Sequence, residues 1–174
     1  MRRSGSSFRG PATSRSCAIL RSAYGPLRLI SFAGLSGGCR RADDLLFRAG
    51  NADAIDDACR RSTVGKLLPN ALYIHRTAME ALDPLLRVYE GCARAYLGEI
   101  EGANLIKLHR HSGKVSYLVY PDFDADPHPA LARCLKLSLR TRQLECSDYA
   151  ASPNPPVLHR KETFLLPDDR SSTG

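Results

Sequence analysis

Residues 133–140 read RCLKLSLR, and the alternation of Leu135, Leu137 and Leu139 with Lys136, Ser138 and Arg140 fits one local structure, a strand with an apolar and a polar face. A chain containing such a strand must cover its leucine face and can leave the other in water, which is the habit of antiparallel sheets. QLECSDY continues as the partner strand after a Thr141-Arg142 turn. Upstream, NLIKLHRHSGKVSYLVY holds two further runs, 105–109 and 115–120, around a polar stretch with Gly113, which marks a hairpin with a longer loop. ALYIH (71–75) has the β-branched and aromatic content of a short strand, and TVGKLLPN before it reads as a connector.

The cover for the apolar face comes from the first half of the chain. In DPLLRVYEGCARAYLG, Asp83 caps a helix, Pro84 occupies the first helical position where a missing N–H costs nothing, and Gly98 ends it. Leu85, Val88, Tyr89, Cys92, Ala95 and Tyr96 recur at three- and four-residue steps between them. NADAIDDACRRS predicts a second helix, with Asn51 as N-cap and Arg60 and Arg61 favouring the C-terminal dipole; ADDLLFRAG predicts a short one before it. The expected fold is therefore α+β: a small antiparallel sheet of about four strands with helices packed on one face, the 84–97 helix foremost. The segment SPNPPVLHRKETFLLPDDRSSTG runs extended through its prolines until the apolar FLL docks or dangles, and residues 169–174 form a frayed end.

Charge divides the chain at residue 41. The first 41 residues hold eight arginines and no acid, a charge of +8, whereas residues 42–174 sum to −1, so the net +7 belongs to the N-terminal segment. That Arg/Ser/Gly-rich segment reads as a disordered or misassigned extension, a piece of a neighbouring domain, or an organellar targeting sequence, with the α+β domain expected over 42–168. A basic tail binds polyphosphate non-specifically, but the nearly neutral body gives no bulk-charge argument for DNA. The six cysteines form no Cys-x-x-Cys pair, as expected of reduced thiols in a cytoplasmic protein, and no apolar stretch approaches the roughly 20 residues of a membrane span.

The runs VGKLLPNALYIH, LLRVYEGCARAYLG, EGANLIKLHR, KVSYLVYPDFDADPHPAL and NPPVLHRKETF, in this order and spacing, closely resemble a bacterial family of DNA phosphorothioation-associated proteins that carries a methyltransferase label. The resemblance extends from about Ala42 to Pro167. It implies a place in a DNA modification or defence system that replaces a phosphate oxygen by sulfur. The label belongs to a separate S-adenosylmethionine-binding region with an acidic residue and a glycine-rich turn. AGLSGGC at 33–39 lacks that glycine spacing and acid, so no catalytic residue carries over and no cofactor is expected in this chain. The chain is expected to be a truncated or non-catalytic part of such a protein, contacting DNA, phosphorothioated or plain, or another protein of the system, and no membrane.

Three clusters offer chemistry. Lys107, His109, Arg110, His111 and Lys114 gather near the proposed hairpin end, where they could meet phosphates, with Tyr117 and Tyr120 nearby. His159, Arg160 and Lys161 follow a rigid proline run and suit a phosphate or sulfur-bearing backbone. Asp122, Asp124, Asp126 and His128 alternate in YPDFDADPHPAL, and on a strand would line one face for a hard cation, the basis of an alternative reading as a metal-dependent phosphodiester hydrolase. Pro127 and Arg133 occupy the positions where a calcium loop needs Gly and Glu, and the three prolines favour a solvated loop. No Gly-x-Ser-x-Gly, Glu-x-Lys or metalloprotease histidine spacing accompanies them.

Overall fold

A computed structural model describes residues 35–166. Helix α1 (Leu35–Ala49) runs across the charge boundary at residue 41, and the Gly50 and Asn51 amides close its end on the Phe47 and Arg48 carbonyls. Most of the Arg-rich extension and the frayed end lie outside the described residues.

Helix α2 (Ala52–Arg61) begins as its sequence requires: Asn51 Oδ1 accepts from the Asp53 and Ala54 amides at 2.9 and 3.3 Å. Helix α3 (Pro84–Leu97) is held the same way, Asp83 Oδ1 accepting from the Leu85 amide at 2.8 Å. Its three- and four-residue periodicity buries Leu85, Val88, Tyr89 and, within the same stripe, Glu90. A buried carboxylate needs partners, and Glu90 has them: Arg94 at 2.9 Å on its own helix and the Tyr117 hydroxyl at 2.9 Å from the sheet.

The strands are β1 (Lys66–Leu68), β2 (Ala71–His75), β3 (Ala103–His109), β4 (Lys114–Val119), β5 (Arg133–Ser138) and β6 (Leu144–Asp148). They form one antiparallel meander in sequence order, so the architecture is α+β with six strands rather than about four. ALYIH is a strand as expected, and the strand that the sequence did not signal is β1, at the sheet edge. ALYIH pairs with β3 along its whole length, and the connector supplies β1, three residues that are too few to show a period. Gly65 makes that pairing possible: its φ is +80°, and a Cβ there would stand 2.4 Å from the Tyr73 carbonyl oxygen.

Alternation gives the sheet two unlike faces. Leu72, Ile74, Ile106, Leu108, Val115, Tyr117 and Leu137 point to the helices and pack on Ile55, Ala58, Cys59, Leu86 and Tyr89. Leu105, Leu118 and Tyr120 point the other way, where only part of the sheet is covered. The cover there consists of Phe123 from the β4–β5 loop and of Phe164 and Leu165 from the C-terminal segment, so the expected FLL docks. Phe164 and Leu165 are buried and each contributes about 2 kcal/mol of apolar transfer energy. Backbone bonds hold the segment in place: the Leu131 amide donates to Pro156 O at 2.8 Å and the Leu158 amide to Pro129 O at 3.0 Å. Among the described residues no helix is long and apolar enough to cross a membrane.

Candidate nucleic-acid interface

Antiparallel register places one residue of each strand in a row on the partly covered face: Lys66, Tyr73, Lys107, Ser116, Lys136 and Glu145. The neighbouring row toward the hairpin ends brings in Ala71, His109, Lys114 and Ser138. These two rows hold four lysines against a single carboxylate, Glu145. The next row in the opposite direction is His75, Leu105, Leu118, Cys134 and Ser147, which lies by the Phe123 and Phe164 cover. Apolar residues thus occupy the covered end of the face and cations the open end.

The row nearer the hairpin ends is pinned from behind. The Tyr89 hydroxyl, on α3, donates to His109 O at 3.1 Å and Lys114 O at 3.0 Å, clamping the two strands where the β3–β4 hairpin begins. Gly113 turns that hairpin at φ +65°, and the Arg140 side chain lies against it, adding another cation to the same end. On the face itself Lys107 Nζ stands 5.1 Å from the Tyr73 ring centre, and the Phe164 ring lies 6.0 Å from the same ring. Lys66 Nζ is 5.5 Å from the Phe164 ring centre. Lys136 and Lys114 share Glu145, the second at 3.8 Å; the bond to Lys136 holds the Glu145 carboxyl below its usual range.

His109 registers the resulting field. Its Nε2 is 3.0 Å from Ser116 Oγ. Burial, then the charges of Lys107, Lys136 and Lys114, push its pKa down from 6.5 to about 4. The unfolded chain therefore takes up a proton between these values that the folded chain refuses, so stability is intact above pH 6.5 and falls as the pH drops toward 4. Discounted for the partial exposure of the ring, the loss is on the order of 2 kcal/mol. Urea unfolding across this window should show it in the wild type and show that much less acid sensitivity in His109→Gln.

The residues singled out from sequence separate into four environments. Lys107, His109 and Lys114 share the open rows. Arg110, next in the chain, points to the helix side, buried, and gives its guanidinium to Asp56 and to the Leu68 and Pro69 carbonyls. His111 is exposed, with its Nε2 3.7 Å from Asp56. His159 and Arg160 are exposed on the C-terminal segment, Arg160 in the left-handed region at φ 56°. Lys161 is buried and spends its ammonium on structure: Nζ donates to Phe123 O at 2.6 Å and Asp124 O at 3.2 Å, fastening the C-terminal segment to the acidic loop.

The acidic stretch is a series of turns and not a strand, so the one-face alternation does not arise. Asp122, Asp124, Asp126 and His128 are all exposed; the Asp126 amide donates to Asp122 O and Asp126 Oδ1 accepts from the His128 amide, both at 2.8 Å. His128 and His159 come together with ring centres 5.2 Å apart. Among the described residues no group of three or more His, Cys, Asp or Glu side chains could hold a metal ion.

Lys136 and Ser116 join the interface without having been singled out, although the outward position of Lys136 was already visible in RCLKLSLR. Lys66 had no sequence signal, because its strand had none. No family model, curated protein or solved structure matches the chain.

Proposed function

We propose that this domain is a non-catalytic DNA-contacting module that holds a phosphate backbone against the open rows of its sheet, within a bacterial modification or defence system of the phosphorothioation kind implied by the sequence resemblance. The observation that carries the reading is the cross-sheet row Lys66, Lys107 and Lys136 with Lys114 beside it, four ammonium groups gathered on one face of a body whose charge over residues 42–174 sums to −1. At ordinary strand spacing six strands extend about 24 Å, the length of about seven base-pair steps.

The chemistry favours backbone over base contact. Lysine is a point cation suited to phosphate, and base reading by stacking needs an aromatic face open to solvent. Tyr73, the aromatic residue of the row, already packs with Lys107 and Phe164. Binding is thus expected to be strongly salt-dependent and weakly sequence-dependent. The metal-dependent hydrolase alternative gains no support, since Asp122, Asp124 and Asp126 sit on exposed turns with no gathered ligand set. Methyl transfer is assigned to no residue here, and S-adenosylmethionine belongs to the family region that this chain does not resemble.

Lysine acetylation footprinting of the full chain with and without a duplex tests the reading. Lys66, Lys107, Lys114 and Lys136 should lose at least about half of their labelling when DNA is added at low salt. Unchanged labelling of all four would refute it, whereas Lys161, already buried, should label slowly in either state.

A further inference from the structure

We infer that the contact is proton-coupled: when a nucleic-acid phosphate settles among Lys107, Lys114 and Lys136, the His109 ring takes up one proton from solution and becomes a further cationic donor to that phosphate. The inference rests on the proposed DNA-contacting reading and adds its regulation by pH.

The geometry supplies each part. His109 lies at the end of β3 beside β4, with Lys107 two residues back on its own strand and Lys114 and Ser116 on β4. Lys136 stands beyond Ser116 on β5, and Glu145 beyond that on β6. On the other side β2 presents uncharged Ala71, with Tyr73 one step further along the face. The bond to Ser116 uses Nε2 and leaves Nδ1 for a ligand. Protonated, the ring would donate Nε2–H to Ser116 Oγ and Nδ1–H to a phosphate oxygen, which accepts as the lysines' own acceptor does.

The same three lysines that disfavour the imidazolium lose that effect once a phosphate neutralises them, and the phosphate's own charge then favours it. Linkage requires reciprocity: if the anion raises the affinity of the ring for a proton, the proton raises the affinity of the face for the anion. Arg or Lys alone could not confer this, because neither titrates near neutrality. A row of lysines with one crowded histidine among them is therefore both a phosphate cradle and a device that grips harder as the pH falls.

The test is fluorescence anisotropy of a labelled mixed-sequence duplex of about 20 base pairs with the full chain at low salt, for wild type and His109→Gln. Wild-type affinity should rise about tenfold from roughly pH 7.5 to 5.5, with His109→Gln rising at least about threefold less. His75, His111, His128 and His159 are common to both proteins, so the difference isolates His109. Equal pH profiles would overturn the proton coupling and leave the DNA-contacting reading standing; no binding by either protein would remove both. Because the variant could lose its fold, the His109 ring resonance of the wild type is also titrated: its midpoint should move toward neutral pH with duplex present, and an unmoved midpoint contradicts the inference.

Discussion

Arg110→Ala is expected to destabilise the protein by about 3 kcal/mol, seen as a lower urea midpoint at unchanged slope. The guanidinium is buried and joins three parts of the fold: Nε bonds Asp56 on α2, while one terminal nitrogen donates to Leu68 O at 3.2 Å and Pro69 O at 2.7 Å in the turn between β1 and β2. Truncation leaves two carbonyls short of a donor and Asp56 with only the exposed Arg60 and His111 beside it. The Arg110 bond is also the chief reason that the Asp56 carboxyl stays ionised below its ordinary pKa, so the variant should lose part of that depression. Arg60→Ala is the control. Its side chain is largely exposed, and an exposed i,i+4 pair contributes little, so stability should barely change. A midpoint for Arg110→Ala indistinguishable from wild type would mean that the buried guanidinium does not fasten α2 to the sheet.

The contrast between Arg110 and its neighbour His109 shows where sequence reading stops. Adjacent strand residues face opposite ways and β3 ends at His109, so the run KLHRH, with Arg110 and His111 already in the turn, does not act as one cluster. Lys107 and His109 share a face with Lys136, about 30 residues away in the chain but brought alongside through β4, and Arg110 is delivered to the helices. The partner of each residue depends on register, which is a property of pairings and not of any one segment. Elements with strong local signals were legible to within a few residues: the capped helices at 52–61 and 84–97, the 133–138 strand and its hairpin partner. Three-residue β1 was not, since so short a run shows no alternation, and its pairing with β2 across the Pro69-Asn70 turn relies on the close approach of Gly65 to the Tyr73 carbonyl. The role of Lys161 was hidden for a related reason. In HRK it looks like a surface cation, but the docked Phe164 and Leu165 carry it beneath the acidic loop, where the Phe123 and Asp124 carbonyls receive its ammonium.

Charge bookkeeping along the chain was similarly incomplete. A body with net charge −1 over residues 42–174 gives no average attraction to DNA, yet its acids and bases are not mixed evenly. Asp56, Glu90 and Glu145 are committed to ion pairs, and Asp122, Asp124 and Asp126 lie on the β4–β5 loop. The open rows keep a surplus of cations, and a locally positive surface recruits phosphate whatever the average says.

The triple variant Lys107→Gln, Lys114→Gln, Lys136→Gln should therefore lose about a hundredfold in duplex affinity at low salt, since each lost phosphate contact removes a counterion-release contribution. Glutamine is one heavy atom shorter than lysine but stays polar and unbranched, and the surface is only partly buried, so the fold should survive with a near-native unfolding midpoint. The eight arginines of residues 1–41 are the rival source of DNA affinity in the same chain. The decisive measurement is the slope of log affinity against log salt for the full chain and for this triple variant. If the sheet face holds the backbone, the slope becomes shallower by about 2.7, about 0.9 for each of the three lysines. An unchanged slope, with affinity unchanged, would put the contact on the N-terminal arginines and contradict the assignment to the sheet.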